Sequence, residues 1–318
     1  MRRLPVHRRS VLIIALIVVA SAALVLLVLT VIVGQSLPGT PATPAVAGTE
    51  TARFPDGTIR YQEAGQGEHA IVLLHGFNGH LGQWDEVWGE LEGCECRRIR
   101  IDLPGFGDSE WQTNAFGVAE QADRVIALLD RLNVDTATLV GTSMGGSVAT
   151  VIAADHPDRV QSLVLVAPSG YPGSLVQSGL YGRMARPGFA NRAATLIAKN
   201  PLFGVLYPNS RALQALTVTA TYGRRWSDLL SKVRVPTLII WARGDETTPY
   251  AFAASVEQAI PGSALISLDA STGHLVPAER PELLARSIEL MQQGAAPDTI
   301  ATALPDGLLR PDEGSAPG

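Results

Sequence analysis

Short apolar runs recur along this chain and alternate with stretches of helical period. Residues 70–74 read Ala-Ile-Val-Leu-Leu, an unbroken apolar run of the kind a strand shows when buried on both faces. Residues 97–103, 137–140, 160–166, 236–241 and 264–268 predict further strands. Between them, 81–91 sets Trp84, Val87, Trp88 and Leu91 on one stripe of a helix. Residues 116–132 do the same with Ala119, Val125, Ile126, Leu128 and Leu129. Residues 147–154 form a small apolar helix, and 281–291 a final one. Upstream, 53–63 reads as a hairpin turning at Pro55, Asp56 and Gly57. Strands alternating with helices at this spacing predict an α/β domain, with a mostly parallel sheet flanked by helices.

Four stretches depart from this rhythm. Residues 11–33 carry no charge, and only Ser21 and Thr30 are polar. As a helix this segment spans about 35 Å, enough to cross a bilayer. Arg2, Arg3, Arg8 and Arg9 precede it, and no Lys or Arg follows until Arg53. The asymmetry predicts a basic cytoplasmic tail and transmembrane signal anchor over 1–33, with the domain outside the cytoplasm. The competing reading is a cleaved signal peptide and a secreted protein. Arg8-Arg9-Ser10 resembles a twin-arginine signal, and Ala45-Val46-Ala47 offers a cleavage site. The apolar run exceeds the usual length of such a signal, however, and that site lies far beyond its end.

Residues 34–50 are rich in Pro, Gly, Ala and Thr, a linker, so that the domain proper is expected over 51–292. Residues 169–230 separate one core strand from the next without a steady period. A structureless loop that long is implausible in a compact domain, so a small helical cap inserted after the sixth strand is expected. Residues 293–318, rich in Pro, Gly, Ala and Asp, read as a disordered tail.

Charge narrows the partners. The chain has 25 Lys and Arg against 30 Asp and Glu, and four of the arginines lie in the first nine residues. An acidic body without a basic run argues against nucleic acid. Cys94 and Cys96 are the only cysteines; one intervening residue disfavours a mutual disulfide, and no Cys/His cluster has metal-ligand spacing. They read as semi-buried residues at the start of a strand.

Chemistry concentrates in three loops. Gly141-Thr142-Ser143-Met144-Gly145-Gly146 follows a short apolar strand and opens the 147–154 helix. A serine between glycines at a strand-to-helix bend has its hydroxyl projected, while the glycines let strand and helix approach. Such a serine also occurs in ordinary turns, so its partners decide. Asp245 stands just past the 236–241 strand in Gly244-Asp245-Glu246-Thr247-Thr248-Pro249, and His274 follows the last strand in Gly273-His274. Glu246 and Asp269 are rival carboxylates. The order Ser143, Asp245, His274, each at the carboxyl end of a strand, supplies a nucleophile, an acid and a base where open α/β sheets gather their sites.

These motifs, with His75-Gly76 and Asp102-x-x-Gly105-x-Gly107-x-Ser109, resemble the α/β-hydrolase fold in its esterase/lipase-like branch, over roughly residues 54–291. The resemblance implies a Ser143–His274–Asp245 triad that cleaves a carboxylic ester or related acyl substrate through an acyl-enzyme. It also implies an oxyanion hole from the backbone N–H groups of Phe77 and Met144, with His75 shaping the oxyanion loop, and no cofactor or metal. Asp102 and Asp108 belong to a loop that braces. His80, Leu275 and Val276 are expected at the substrate pocket, and Phe203 and Tyr207 on the underside of the cap. A C–C bond hydrolase for ring-fission products and a cofactor-free perhydrolase share the Ser-Met-Gly-Gly pattern. A non-catalytic binding module is a more distant alternative, since such proteins typically lose a triad member. Serine at 143 excludes enzymes with an aspartate nucleophile.

Overall fold

The computed structural model describes residues 45–94, 96–111, 117–170 and 226–304. The strands are β1 (Thr49–Phe54), β2 (Gly57–Ala64), β3 (His69–Leu74), β4 (Arg97–Ile101), β5 (Glu110–Trp111), β6 (Thr136–Thr142), β7 (Val160–Val166), β8 (Thr237–Ala242) and β9 (Ala264–Leu268). They form one sheet in the order β1-β2-β4-β3-β6-β7-β8-β9, with β5 paired to β2. The β1–β2, β2–β4 and β2–β5 pairs are antiparallel, and the strands from β4 onward across the sheet run parallel.

The helices are α1 (Asp85–Glu90), α2 (Val118–Arg131), α3 (Met144–Asp155), α4 (Trp226–Leu230), α5 (Ala253–Ala259), α6 (Val276–Glu279), α7 (Pro281–Gln292) and α8 (Pro297–Ala303). They cover both faces of the sheet. Alternate residues of β3 point to opposite sides: Ala70, Val72 and Leu74 join one core with α2, α3 and α5, while Ile71 and Leu73 join the other with α1, α7 and α8. This double burial is why β3 reads as an uninterrupted apolar run.

Several expectations need correction. The stretch 81–91 is a 3-10 turn (Leu81–Trp84), α1 and a second 3-10 turn (Leu91–Gly93), although Trp84, Val87 and Leu91 are buried as the stripe required. On α2 Ala119, expected on the apolar stripe, is exposed, and Gln121 is buried instead, donating to the Pro104 carbonyl at 2.9 Å. Thr49 and Glu50, read as linker, already belong to β1. The two-residue β5 makes the long insertion follow the seventh strand; residues 171–225 lie outside the described residues, as do 1–44 with the apolar segment. Part of the expected tail is helical: Pro297 opens α8, and Ile300 is buried against the same core as Met291, while 305–318 lie outside the described residues. Cys94 and Cys96 are joined by a disulfide. The chain bends between the 3-10 turn and β4, which sets the two Cα atoms 5.2 Å apart, within the span a disulfide bridges.

Three arginines are buried beside the core, Arg60 on β2 with Arg98 and Arg100 on β4. Arg98 and Arg100 both lie over the Trp88 ring, at 5.0 and 4.7 Å from its centroid. Arg100 also bonds Gln62 Oε1 at 2.6 Å and Asp85 Oδ1 at 2.5 Å. Arg60 pairs with Asp102 and Asp108. Burial depresses the basicity of Arg98 and Arg100, and the aromatic face and carbonyl and carboxylate acceptors offset the lost hydration.

Glycine requirements in this fold differ sharply by position. A Cβ on Gly145 would stand 2.1 Å from the Leu74 carbonyl oxygen, whereas one on the exposed, helical Gly89 meets nothing within 4 Å. Gly145→Ala should therefore destabilise the domain by roughly 3 kcal/mol or more. Gly89→Ala should stabilise it by roughly 0.5–1 kcal/mol. Urea unfolding of the two variants measures both, and equal effects would mean that strand and helix separate easily at the bend.

Candidate active site

The bend after β6 is tight because the backbones of Gly141 and Gly145 pass in contact. Ser143 adopts φ 51° and ψ −117°, a left-handed conformation rare for any residue with a Cβ. A Cβ on Gly141 would lie 2.3 Å from the Gly145 carbonyl oxygen, so a bare backbone is required there too. The bend is held from the next strand: Ser143 N–H donates to Val166 O at 2.9 Å, and Ser143 O accepts from Ser169 N–H at 3.0 Å. α3 starts at Met144, three residues before the apolar run that marks it in the sequence. Among the described residues the Ser143 hydroxyl makes no hydrogen bond, to His274 or to another group; such contacts often tighten only when substrate binds.

Asp245 and His274 meet two strands away. His274 Nδ1 lies 2.7 Å from Asp245 Oδ2. Asp245 Oδ1 accepts the N–H groups of Thr247 and Thr248, both at 2.8 Å, and Oδ2 also accepts the Thr248 hydroxyl at 2.7 Å. Burial pushes the Asp245 carboxyl up, but the bond and charge of His274 and the Thr248 donors outweigh it, and the group sits below its ordinary value. It is therefore ionised at neutral pH. The rival carboxylates are occupied or outside. Asp269 accepts Ser271 and Thr272 N–H groups and pairs with Arg280; with the Ser271 hydroxyl leading, its carboxyl is held at about 2. Glu246 is exposed.

A chain of contacts joins the pair to the bend. Thr248 Oγ1 reaches Ala167 O at 3.3 Å, and Ala167 directly follows Val166, whose carbonyl holds Ser143. Ala167 has φ 43°, which turns the chain out of β7 between the two loops.

The loop after β3 stands beside the bend, because β3 lies between β4 and β6 where the strand order reverses. A Cβ on Gly76 would be 3.3 Å from Ser143 Cβ. His75 is fully buried; its Nε2 accepts Leu103 N–H at 2.9 Å, which leaves Nδ1 to donate to Gly76 O at 2.7 Å. Burial keeps this ring below its ordinary value, against the raising influence of Asp102. Gly76 O also accepts Gly79 N–H at 3.0 Å, and Gly76 N–H donates to Gln83 Oε1 at 2.9 Å. In a trans peptide the N–H opposes the C=O, so fixing Gly76 O on one side directs Phe77 N–H to the other. Neither Phe77 N–H nor Met144 N–H has a partner among the described residues. Asp102 braces this loop: its Oδ1 accepts Leu81 N–H at 2.6 Å, and its Oδ2 accepts Asp108 N–H at 2.9 Å.

The remaining site expectations divide. Leu275, next to His274, is the exposed large hydrophobic residue of the described chain, 52% accessible. Val276 is not at a pocket wall but in the core shared with Trp84 and Leu284, because α6 turns it inward. His80 serves as a helix cap, accepting Gly82 N–H on Nδ1 at 3.0 Å. Phe77 is half-buried, packed edge-on against Phe106. Phe203 and Tyr207 lie outside the described residues. Sequence reading missed Thr248, Gln83 and Glu279, whose carboxylate accepts the N–H groups on either side of His274. Nothing in the spacing of Gly244-Asp245-Glu246-Thr247-Thr248-Pro249 separates Thr248 from the adjacent Thr247.

A family model described as alpha/beta hydrolase fold matches residues 69–209. The chain is 29% identical over 258 residues to an uncharacterized hydrolase of Bacillus subtilis, covering 73% of this chain and 94% of that protein. It is 28% identical over 267 residues to the 2-hydroxy-6-oxo-6-phenylhexa-2,4-dienoate hydrolase of Comamonas testosteroni, covering 75% of this chain and 92% of that one. The enol-lactonase of Burkholderia xenovorans superposes with a TM-score of 0.61 at 20% identity, over 77% of this chain and 100% of that structure, a likeness of fold alone. A doubly covered sheet with this strand order, a matching family model and a relative aligned over nearly its whole length agree, and the chain belongs to the α/β-hydrolase-fold family.

Proposed function

We propose that this chain is a serine hydrolase that cleaves a carboxylic ester or related acyl substrate through an acyl-enzyme. The observation that carries the reading is the 2.7 Å bond between an ionised, buried Asp245 and His274, together with the strained bend that carries Ser143. Ser143 Oγ attacks the acyl carbon as His274 Nε2 takes its proton. Asp245 keeps the proton of the other ring nitrogen in place and stabilises the imidazolium. The oxyanion is received by the N–H groups of Phe77 and Met144, the latter at the N-terminus of α3. His274 then gives its proton to the departing alcohol as the C–O bond breaks. Water, deprotonated by the same ring, releases the acid and restores Ser143.

A second reading, C–C bond hydrolysis, is favoured by the name of the Comamonas testosteroni relative. The loop His75–Gly76–Phe77–Asn78–Gly79 is less glycine-rich than such enzymes usually carry, which favours the ester reading. Rates on p-nitrophenyl esters and on a 2-hydroxy-6-oxo-dienoate, compared on one preparation, decide between them. Phe203 and Tyr207 of the 169–230 insertion, with exposed Leu275, are proposed to grip the acyl chain.

The domain is proposed to act outside the cytoplasm, held by a helix over residues 11–33. The arginines before that segment support the orientation, and the Cys94–Cys96 disulfide suits an oxidising compartment.

Ser143→Ala and His274→Ala should each lower kcat by roughly 10⁴–10⁶, with the double variant hardly worse than either single one. Steady-state kinetics of the three variants measure this, and multiplicative losses would show that the residues do not act as one unit. A fluorophosphonate should label wild type but not Ser143→Ala. For the anchor, the full-length protein should remain in membranes after alkaline carbonate and become soluble when residues 1–45 are removed. Release at native size would remove the anchor from the reading.

A further inference from the structure

Thr248 is fully buried, and its backbone is held without help from its side chain: the N–H donates to Asp245 Oδ1 at 2.8 Å, and the carbonyl accepts Trp241 Nε1–H at 2.9 Å. The hydroxyl is left with three neighbours, Asp245 Oδ2 at 2.7 Å, His274 Nδ1 at 3.2 Å and Ala167 O at 3.3 Å. It has one proton to give. His274 Nδ1 gives its own to Asp245, the nearer acceptor at 2.7 Å, and the carboxylate is also the nearer, charged acceptor for the hydroxyl. Asp245 Oδ2 is thus shared between two donors, and each carboxylate oxygen receives two hydrogen bonds.

That sharing has an electrostatic consequence. The Thr248 proton draws negative charge on Oδ2 away from the imidazole, so the carboxylate orients His274 without binding its protonated form as tightly as it otherwise would. We infer that Thr248 is a positioning residue that lowers the basicity of His274 through Asp245. Its effect on turnover rests on the acyl-transfer reading; its effect on the His274 ring does not.

Other charged groups around the ring are fixed apart from Thr248. Glu279 bonds the N–H groups of Gly273 and Leu275, Asp269 pairs with Arg280, Arg243 lies over Tyr250, and Glu246 is exposed. Thr248→Val keeps the shape and removes the hydroxyl; Thr248→Ser keeps the hydroxyl and removes the methyl. The full-length protein, labelled with carbon-13 at histidine Cε1 and assigned with His274→Asn, reports the titration of the ring by NMR. The acid limb of kcat/KM on p-nitrophenyl acetate reports the same group in turnover.

Thr248→Val should move both upward by about 0.5 pH unit with little change in KM, while Thr248→Ser keeps the wild-type position. The inference is overturned if Thr248→Val titrates like wild type, or if Thr248→Ser moves as far as Thr248→Val, since packing and not the hydroxyl would then be responsible. If the ring shifts as expected but wild type hydrolyses no ester, the acyl-transfer reading fails and the Thr248 clamp stands.

Discussion

The structure turns on the absence of clearance between three pieces of backbone. β3, β6 and α3 converge where Gly145 passes the Leu74 carbonyl, with no room for a single methyl group. That contact brings the start of α3 under the end of β3. It thereby sets the loop carrying Phe77 beside the serine at the head of the helix. The positive φ of Ser143 is the cost of turning the chain so sharply. It persists because Val166 and Ser169 hold both sides of the bend from β7 and beyond.

Around this contact the polar groups are arranged so that no loop depends on a single bond. His75 is kept neutral by burial, and each of its ring nitrogens has a task, one holding β4's exit at Leu103 and the other holding the Gly76 carbonyl. Asp102, fully buried, pins Leu81 and Asp108 and meets Arg60. On the far side Asp245 is saturated with donors, and Glu279 holds the chain on both sides of His274. Buried charges of this kind cost desolvation and return rigidity only when every partner is present. Leu275 stands exposed next to the imidazole.

The covered faces of the sheet explain why some elements are easy to read in the sequence and others are not. Residues 70–74 of β3, 163–166 of β7 and 238–242 of β8 are buried on both sides, so burial acts on every residue and leaves an unbroken apolar run. β4 is equally buried but carries Arg98 and Arg100, whose hydrophobic stems and flat guanidinium groups pack on Trp88. α2 shows the reverse case, with Ala119 outside and Gln121 inside, because the Pro104 carbonyl offers the amide a partner there.

The sequence by itself determined the architecture, the order of the strands in the chain, and the three loops bearing Ser143, Asp245 and His274. These depend on local pattern: apolar runs, helical period, and glycines where the backbone must turn or approach closely. Only the tertiary structure shows how Asp245 is held against the imidazole and where Glu246 and Asp269 stand apart from it. The same holds for Thr248 at the carboxylate, Val276 in the core, His80 as a cap and the Cys94–Cys96 disulfide. Each is settled by distances between segments far apart in the chain or by a local bend, and neither quantity is written in the spacing of residue types.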